Sequence, residues 1–220
     1  MSDAAFLLAE LDRNIEEAMA GLDALKDPDP KPEGGDEVVR RLKIALKNEL
    51  EASELAALWM STTPEVDIKL GLARQAGDEA RHYRLIEEHL SGLGVELDGF
   101  NPLENGYSPM FQLLNGFGST VERVAGAQLT RESLALKKNE QFIEFCDALG
   151  ASETATLYRE RIQPDEEWHV QQGRQALRRY AITPQLQERA RKASGAVLEL
   201  AIKIQEKQFH EMKTSHAPGC

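Results

Sequence analysis

The stretch Asp78-Glu79-Ala80-Arg81-His82 has an echo 87 residues later at Asp165-Glu166-Glu167-Trp168-His169. In both copies an Asp precedes a Glu and a His follows that Glu at i+3. On a helix the Glu and the His then project from one face about one turn apart, a geometry that suits metal ligation. One Glu-x-x-His specifies little, because Glu is common in acidic helices. Two copies specify far more, since each lies in a long amphipathic segment and follows a helix with a candidate Glu.

Working outward, the first copy sits in a helix predicted from about residue 64 to 93, with Leu72, Ala76, Glu79, His82, Tyr83, Ile86 and Leu90 facing inward. A turn at Ser61-Thr62-Thr63-Pro64 separates it from a helix predicted over residues 36–60, with Asp36 as N-cap. The stripe Leu42, Ala45, Leu46, Glu49, Ala52, Ser53, Ala56 and Met60 is apolar and small except for Glu49. An inward carboxylate needs a partner, because burying it alone is expensive. Glu51 and Glu54 share faces with Lys47 and Asn48 and read as solvent-exposed. The two helices form an antiparallel hairpin that brings Glu49 opposite Glu79.

The second copy repeats this logic. A helix over residues 120–149 carries Val121, Ala125, Gln128, Leu129, Glu132, Leu136 and Ile143 on one stripe, with Glu132 its only acid. After Gly150-Ala151-Ser152, a helix capped by Ser152 turns Leu157, Ile162, Glu166, His169 and Ala176 inward. Pro164 removes an internal hydrogen bond one turn before the motif, which predicts a kink or a new segment there. Residues 91–119 are rich in Gly, Pro and Asn and form a long crossover, with a short helix over 109–114. Four helices thus supply Glu49, Glu79, His82, Glu132, Glu166 and His169. This hard-to-borderline set suits iron or manganese and disfavours a thiolate-loving metal.

Ala, Leu, Glu, Lys and Arg recur at helical spacing and β-branched runs are scarce, so the fold class is all-α. The 220 residues suffice for one sizeable core, read as a bundle over 36–182. Residues 1–35 add an N-terminal helix (about 4–26, with Phe6, Leu7, Leu11, Ile15, Met19, Leu22 and Leu25 near a 3.6 period) and a Pro/Gly-rich linker. Residues 183–220 add a C-terminal helix, about 183–213, and a tail. Both extra helices are expected to pack on the bundle. The net charge of −11 argues against nucleic acid and against an anionic membrane surface as partners, and it can draw cations. Acids throughout the first 22 residues are unlike a signal peptide, and the longest uncharged run, 105–121, is too polar to span a membrane. A cytoplasmic location is expected. Two cysteines, Cys146 and Cys220, allow no disulfide framework and no tetra-cysteine iron site.

These residues resemble the ferritin-like di-iron carboxylate superfamily. Asn48-Glu49-Leu50 followed by Asp78-Glu79-Ala80-Arg81-His82 is similar to the first hairpin of bacterioferritins, and the Asp-Glu-x-Arg-His form also resembles di-iron monooxygenases. The resemblance covers about residues 38–180. It implies a ferritin-like four-helix bundle with a long crossover, in which Glu79 and Glu166 bridge two iron ions, or manganese or a mixed pair. Glu49 and His82 would complete one metal's ligands, and Glu132 and His169 the other's. Asp78 and Asp165 match the acids that accept the distal ring N–H of a ligand His. Arg81 matches the basic residue of the monooxygenase-like motif, where the second copy has Trp168. Tyr83 and Tyr158 are near enough in sequence to line the site. His89, His210 and His216 read as non-ligands.

Two functional classes follow. The first is an oxidase or oxygenase that uses dioxygen as co-substrate on a small organic molecule and takes electrons from a separate donor, since no paired Cys-x-x-Cys exists. The second handles iron itself as a ferroxidase. The extra terminal helices fit the first better, as a monomer or a small oligomer such as a homodimer. A helical scaffold without metal is the plain alternative.

Overall fold

The computed structural model describes residues 3–23, 35–212 and 218, and among these every regular element is helical. Seven helical rods follow one another: α1 (Asp3–Asp23), α2 (Gly35–Thr62), α3 (Val66–Gly92), the short α4 (Pro109–Asn115), α5 (residues 120–148), α6 (residues 152–180) and α7 (Pro184–Met212). The linker after α1, together with Leu25, His216 and Cys220, lies outside the described residues, as do the side chains of Phe209 and His210.

The α2–α3 hairpin turns within three residues, 63–65, and its contacts run antiparallel. Ser53 Oγ donates to the Ala76 carbonyl at 2.8 Å, while Glu49 meets His82 one turn further on. Thr120 at the start of α5 donates to Glu65 at 2.6 Å, and Arg123 donates to Thr63 at 3.1 Å, so the hairpin tip is tied to the next rod. α7 lies along α5 and also touches α1 and α4; α1 packs on its own chain, against α6 and α7. Arg174 grips Asp12 with two hydrogen bonds of 2.7 and 2.8 Å, and Arg191 pairs with Glu10 at 2.9 Å. Such part-exposed pairs fix orientation more than they stabilise; Leu7, Leu11 and Ile15, all buried, hold α1 down.

Two apolar clusters make the core. One gathers Leu55, Ala56 and Trp59 of α2, Leu72 of α3 and apolar residues of α1, α4, α5, α6 and α7. The other gathers Leu42 and Leu46 of α2, Ile86 and Leu90 of α3, Phe142 and Cys146 of α5, and Tyr158 and Ile162 of α6. Along α2, α3 and α6 the sequence passes from one cluster to the other through the inward carboxylates and imidazoles. A polar layer therefore divides the core.

α5 and α6 are interrupted by wider π-helical turns, at Val124–Arg131 and Tyr158–Ile162, each ending just ahead of a ligand-type Glu. Thr130 Oγ donates to the Ala125 carbonyl, five residues back, at 2.7 Å and so satisfies an acceptor that α-helical pairing would have used. In α6 the break comes immediately before Gln163-Pro164, the place where Pro164 predicts one; Gln163 then donates to the Leu136 carbonyl of α5 at 3.2 Å.

Several local expectations need correction. Met60 and Phe6 point outward, and Trp59 and Leu8 are buried in their neighbourhoods, because the buried stripe at these helix ends runs through Trp59 on α2 and through Leu7, Leu8 and Leu11 on α1. Asp36 lies in the first turn of α2, which begins at Gly35, and Ser152 is the first helical residue of α6, whose cap position is Ala151. Glu51 is buried, contrary to its reading as solvent-exposed. It accepts from the Ser108 N–H at 2.7 Å and from the Ser108 hydroxyl, while Ser108 caps α4 by accepting from Phe111 N–H at 3.1 Å. Glu54 accepts from the Tyr107 hydroxyl at 2.6 Å.

α5 and α6 pack tightly at Gly173, where a Cβ would meet the Gln128 carbonyl carbon at 2.9 Å and the Leu129 nitrogen at 3.0 Å. Both atoms are backbone and cannot swing aside. Gly173→Ala is therefore expected to destabilise the chain by about 1–3 kcal/mol, read as a lower urea midpoint; an unchanged midpoint would show that the two rods can separate freely.

Candidate metal centre

Glu49, Glu79, His82, Glu132, Glu166 and His169 come together in the polar layer, each with no exposed surface. Helical periodicity explains the convergence: Glu79 and His82 share a face of α3, Glu166 and His169 a face of α6, and Glu49 and Glu132 sit on the inward stripes of α2 and α5. They form two overlapping groups, Glu49/Glu79/His82/Glu166 and Glu79/Glu132/Glu166/His169, with the ligand atoms of each within 4.8 Å of one another. Glu79 and Glu166 belong to both.

The ring nitrogens are sorted by function. His82 presents Nδ1 to Glu79 at 3.2 Å, Glu49 at 3.4 Å and Glu166 at 3.5 Å; His169 presents Nδ1 to Glu166 at 3.4 Å and Glu79 at 3.5 Å. Each Nε2 turns to an aspartate of the opposite motif: His82 to Asp165 at 3.2 Å, His169 to Asp78 at 3.4 Å. The aspartates thus exchange across α3 and α6, which pins both rings and leaves Nδ1 as the nitrogen facing the carboxylates.

Two arginines hold these aspartates. Arg81 bonds Asp78 at 3.2 Å and also Asp165. Arg74 pairs with Asp78 at 3.2 Å and Asp165 at 3.8 Å while its guanidinium lies 3.5 Å from the centre of the Trp168 ring. Trp168, which replaces Arg in the second motif, positions an arginine supplied by α3. A buried amide chain completes the layer: Gln75 donates to Glu132 at 2.7 Å and accepts from Gln128 at 3.2 Å. Sequence reading missed Arg74 and Gln75; Gln75 sits one turn before Glu79, as Gln128 does before Glu132, and that repeat is the signal that reveals it.

Tyr158 is fully buried, edge-on to Phe142 at 5.0 Å, and its hydroxyl makes no hydrogen bond among the described residues. Eight residues of α-helix would leave it about 80° off the face of Glu166. The π turn absorbs one residue, bringing Tyr158 to within about 20° of that face. Tyr83 is half-buried beside the second apolar cluster, and His89 bonds Thr154 at 2.8 Å, away from the layer.

Electrostatics show what the layer lacks. Burial, reinforced by Glu79 and opposed by His82, pushes Glu49 up to about 7. Burial and the charges of Glu79 and Glu132 also hold Glu166 well above the carboxylate range. Burial disfavours a charged His82, yet Glu49 and Glu79 outweigh it and push the imidazole up to about 12; Asp78 and Glu166 take His169 to about 11. Positive charge is therefore drawn into the layer. Among the described residues, both oxygens of Glu49 and Oε1 of Glu79 are buried without a hydrogen bond, a costly state that a coordinated cation would relieve. The donor set, the oriented Nδ1 atoms and these oxygens fit a metal pair.

The Glu49 carboxylate carries a pH-dependent cost. Its raised pKa favours the native state below about 4.5, the unfolded value, and that advantage is lost as pH rises to about 7. Without metal, Glu49→Gln is expected to match the parent's stability near pH 4.5 and to exceed it by roughly 3 kcal/mol at pH 8. Denaturant titrations at the two pH values check this, and a variant no more stable at pH 8 refutes it. Compared with known protein families, with characterised proteins and with solved structures, the chain matches none.

Proposed function

We propose that this chain is a ferritin-like di-iron carboxylate protein, with α2, α3, α5 and α6 as its four-helix bundle, which acts as a dioxygen-dependent oxidase or oxygenase on a small organic substrate. One observation carries the reading: two overlapping buried ligand groups share Glu79 and Glu166, one from each copy of the motif. That is the arrangement two adjacent ions need, and a helical scaffold has no use for it. When bound, iron or manganese ions supply redox chemistry with dioxygen that no side chain here can perform.

The chain's own contribution is positional. Glu79 and Glu166, which belong to both ligand groups, would be shared by two ions; Glu49 and His82 would complete one set, and Glu132 and His169 the other. Asp165 and Asp78 hold the protons of the ring Nε2 atoms, so that Nδ1 is left to ligate. Gln75 orients Glu132 by its N–H. The apolar clusters on either side exclude bulk water. Electrons come from a separate donor protein, since the two cysteines of the sequence cannot build an iron–sulfur module.

A second reading, in which ferrous iron is itself the substrate, is favoured by the net charge of −11. Anaerobic loading with ferrous iron followed by dioxygen separates the two. Two irons per chain, with further oxygen uptake only when a reductant is supplied, supports the oxidase; sustained oxidation of many irons per chain supports iron handling. Glu79→Ala and His169→Ala should each lose stoichiometric metal while keeping the helical circular dichroism signal. Unchanged metal content in both variants would sink the assignment.

A further inference from the structure

The two ligand groups are alike in composition and unlike in what supports them. Four residues before Glu79 on α3 stands Gln75, and four before Glu132 on α5 stands Gln128; both amides are buried. Gln75 Nε2 donates to Glu132 Oε1 at 2.7 Å, and Gln75 Oε1 accepts from Gln128 Nε2 at 3.2 Å. The doubled pattern gives each amide a counterpart on the other side. Four residues before Glu166 on α6 stands Ile162, and four before Glu49 on α2 stands Ala45, both fully buried in the second apolar cluster. Where one side has two amides, the other has two apolar side chains. Glu132 is accordingly held by a neutral donor, whereas among the described residues neither oxygen of Glu49 has a hydrogen bond.

We propose that Gln75 and Gln128 are positioning residues that make the two ion positions unequal: the position built on Glu132 and His169 is the tighter and fills first, and the one built on Glu49 and His82 is the weaker. The inference rests on the metal reading above and adds to it which position is which. A carboxylate already aimed by a hydrogen bond does not have to be ordered when an ion arrives, and loss of such an outer partner costs about 10–100-fold in metal affinity. Gln75 suits this part because it is neutral. Its N–H fixes one oxygen of Glu132 and leaves the negative charge, and the other oxygen, for the ion. An ionised carboxylate only accepts, so Gln75 must turn its nitrogen to Glu132, and the Gln128 amide, donating to the Gln75 oxygen, locks it in that sense. Gln128 is anchored in turn through its backbone, against which Gly173 of α6 packs without room for a Cβ. Ile162 and Ala45 offer Glu49 no donor, so its carboxylate is ordered only by the ion itself.

The probe is cobalt(II), whose visible absorption reports each bound ion, titrated into the metal-free full chain. Repulsion between neighbouring ions weakens any second ion, so the positions are compared one at a time. Glu49→Ala, which retains the Glu132 and His169 position, should bind its ion at least tenfold more tightly than Glu132→Ala, which retains the Glu49 and His82 position. Adding Gln75→Leu to Glu49→Ala should weaken that ion by about 10–100-fold, and adding it to Glu132→Ala should leave the affinity within about threefold. A merely structural loss at Gln75 would weaken both. Gln128→Leu, which removes the anchor and keeps the Gln75 amide, should act in the same direction and more weakly, and it carries the test where Gln75→Leu perturbs folding. Equal affinities in the two single variants, a tighter ion in Glu132→Ala, or equal effects of the glutamine variants in both backgrounds overturns the inference and leaves a two-ion site standing. A parent chain that takes up no cobalt sinks the metal reading, and this inference with it.

Discussion

Four carboxylates and two imidazoles share a layer that water does not reach, and the rest of the molecule is arranged around the cost of keeping them there. Each buried ion costs several kcal/mol unless compensated, and repulsion among the four glutamates adds to it. Part of the compensation is visible. The imidazoles face the carboxylates, the aspartates hold the imidazoles, and Arg74 and Arg81 hold the aspartates at the edge of the layer. Charge alternates outward from glutamate to imidazole to aspartate to arginine, so that each shell is neutralised by the next. Within the innermost shell, both oxygens of Glu49 and Oε1 of Glu79 have no hydrogen bond among the described residues.

Such a layer survives because it is bounded on both sides by well-packed apolar clusters and because the backbone bends to serve it. The π turns in α5 and α6 occur where they re-aim the residues just ahead of Glu132 and Glu166. Gly173 lets α6 lie against the α5 backbone at Gln128, whose amide reaches Gln75 and through it Glu132. Close approach, wider turn and amide chain are one construction, and its effect is to fix the carboxylate of α5 as firmly as the doubled motif fixes those of α3 and α6.

Much of this was legible in the sequence because helical spacing converts directly into direction. Glu79 with His82, and Glu166 with His169, need only the 3.6-residue period to be placed on one face, and Glu49 and Glu132 stand out as lone acids on apolar stripes. Legibility failed where tertiary contacts override the local pattern. Glu51 sits among charged neighbours on α2 yet is buried, because Ser108 arrives from 57 residues away to meet it. Arg74 has no motif of its own, and its importance comes from Trp168 on another rod. The aspartates were legible as partners of the histidines, but their exchange between motifs depends on how α3 and α6 face each other, which no local spacing encodes.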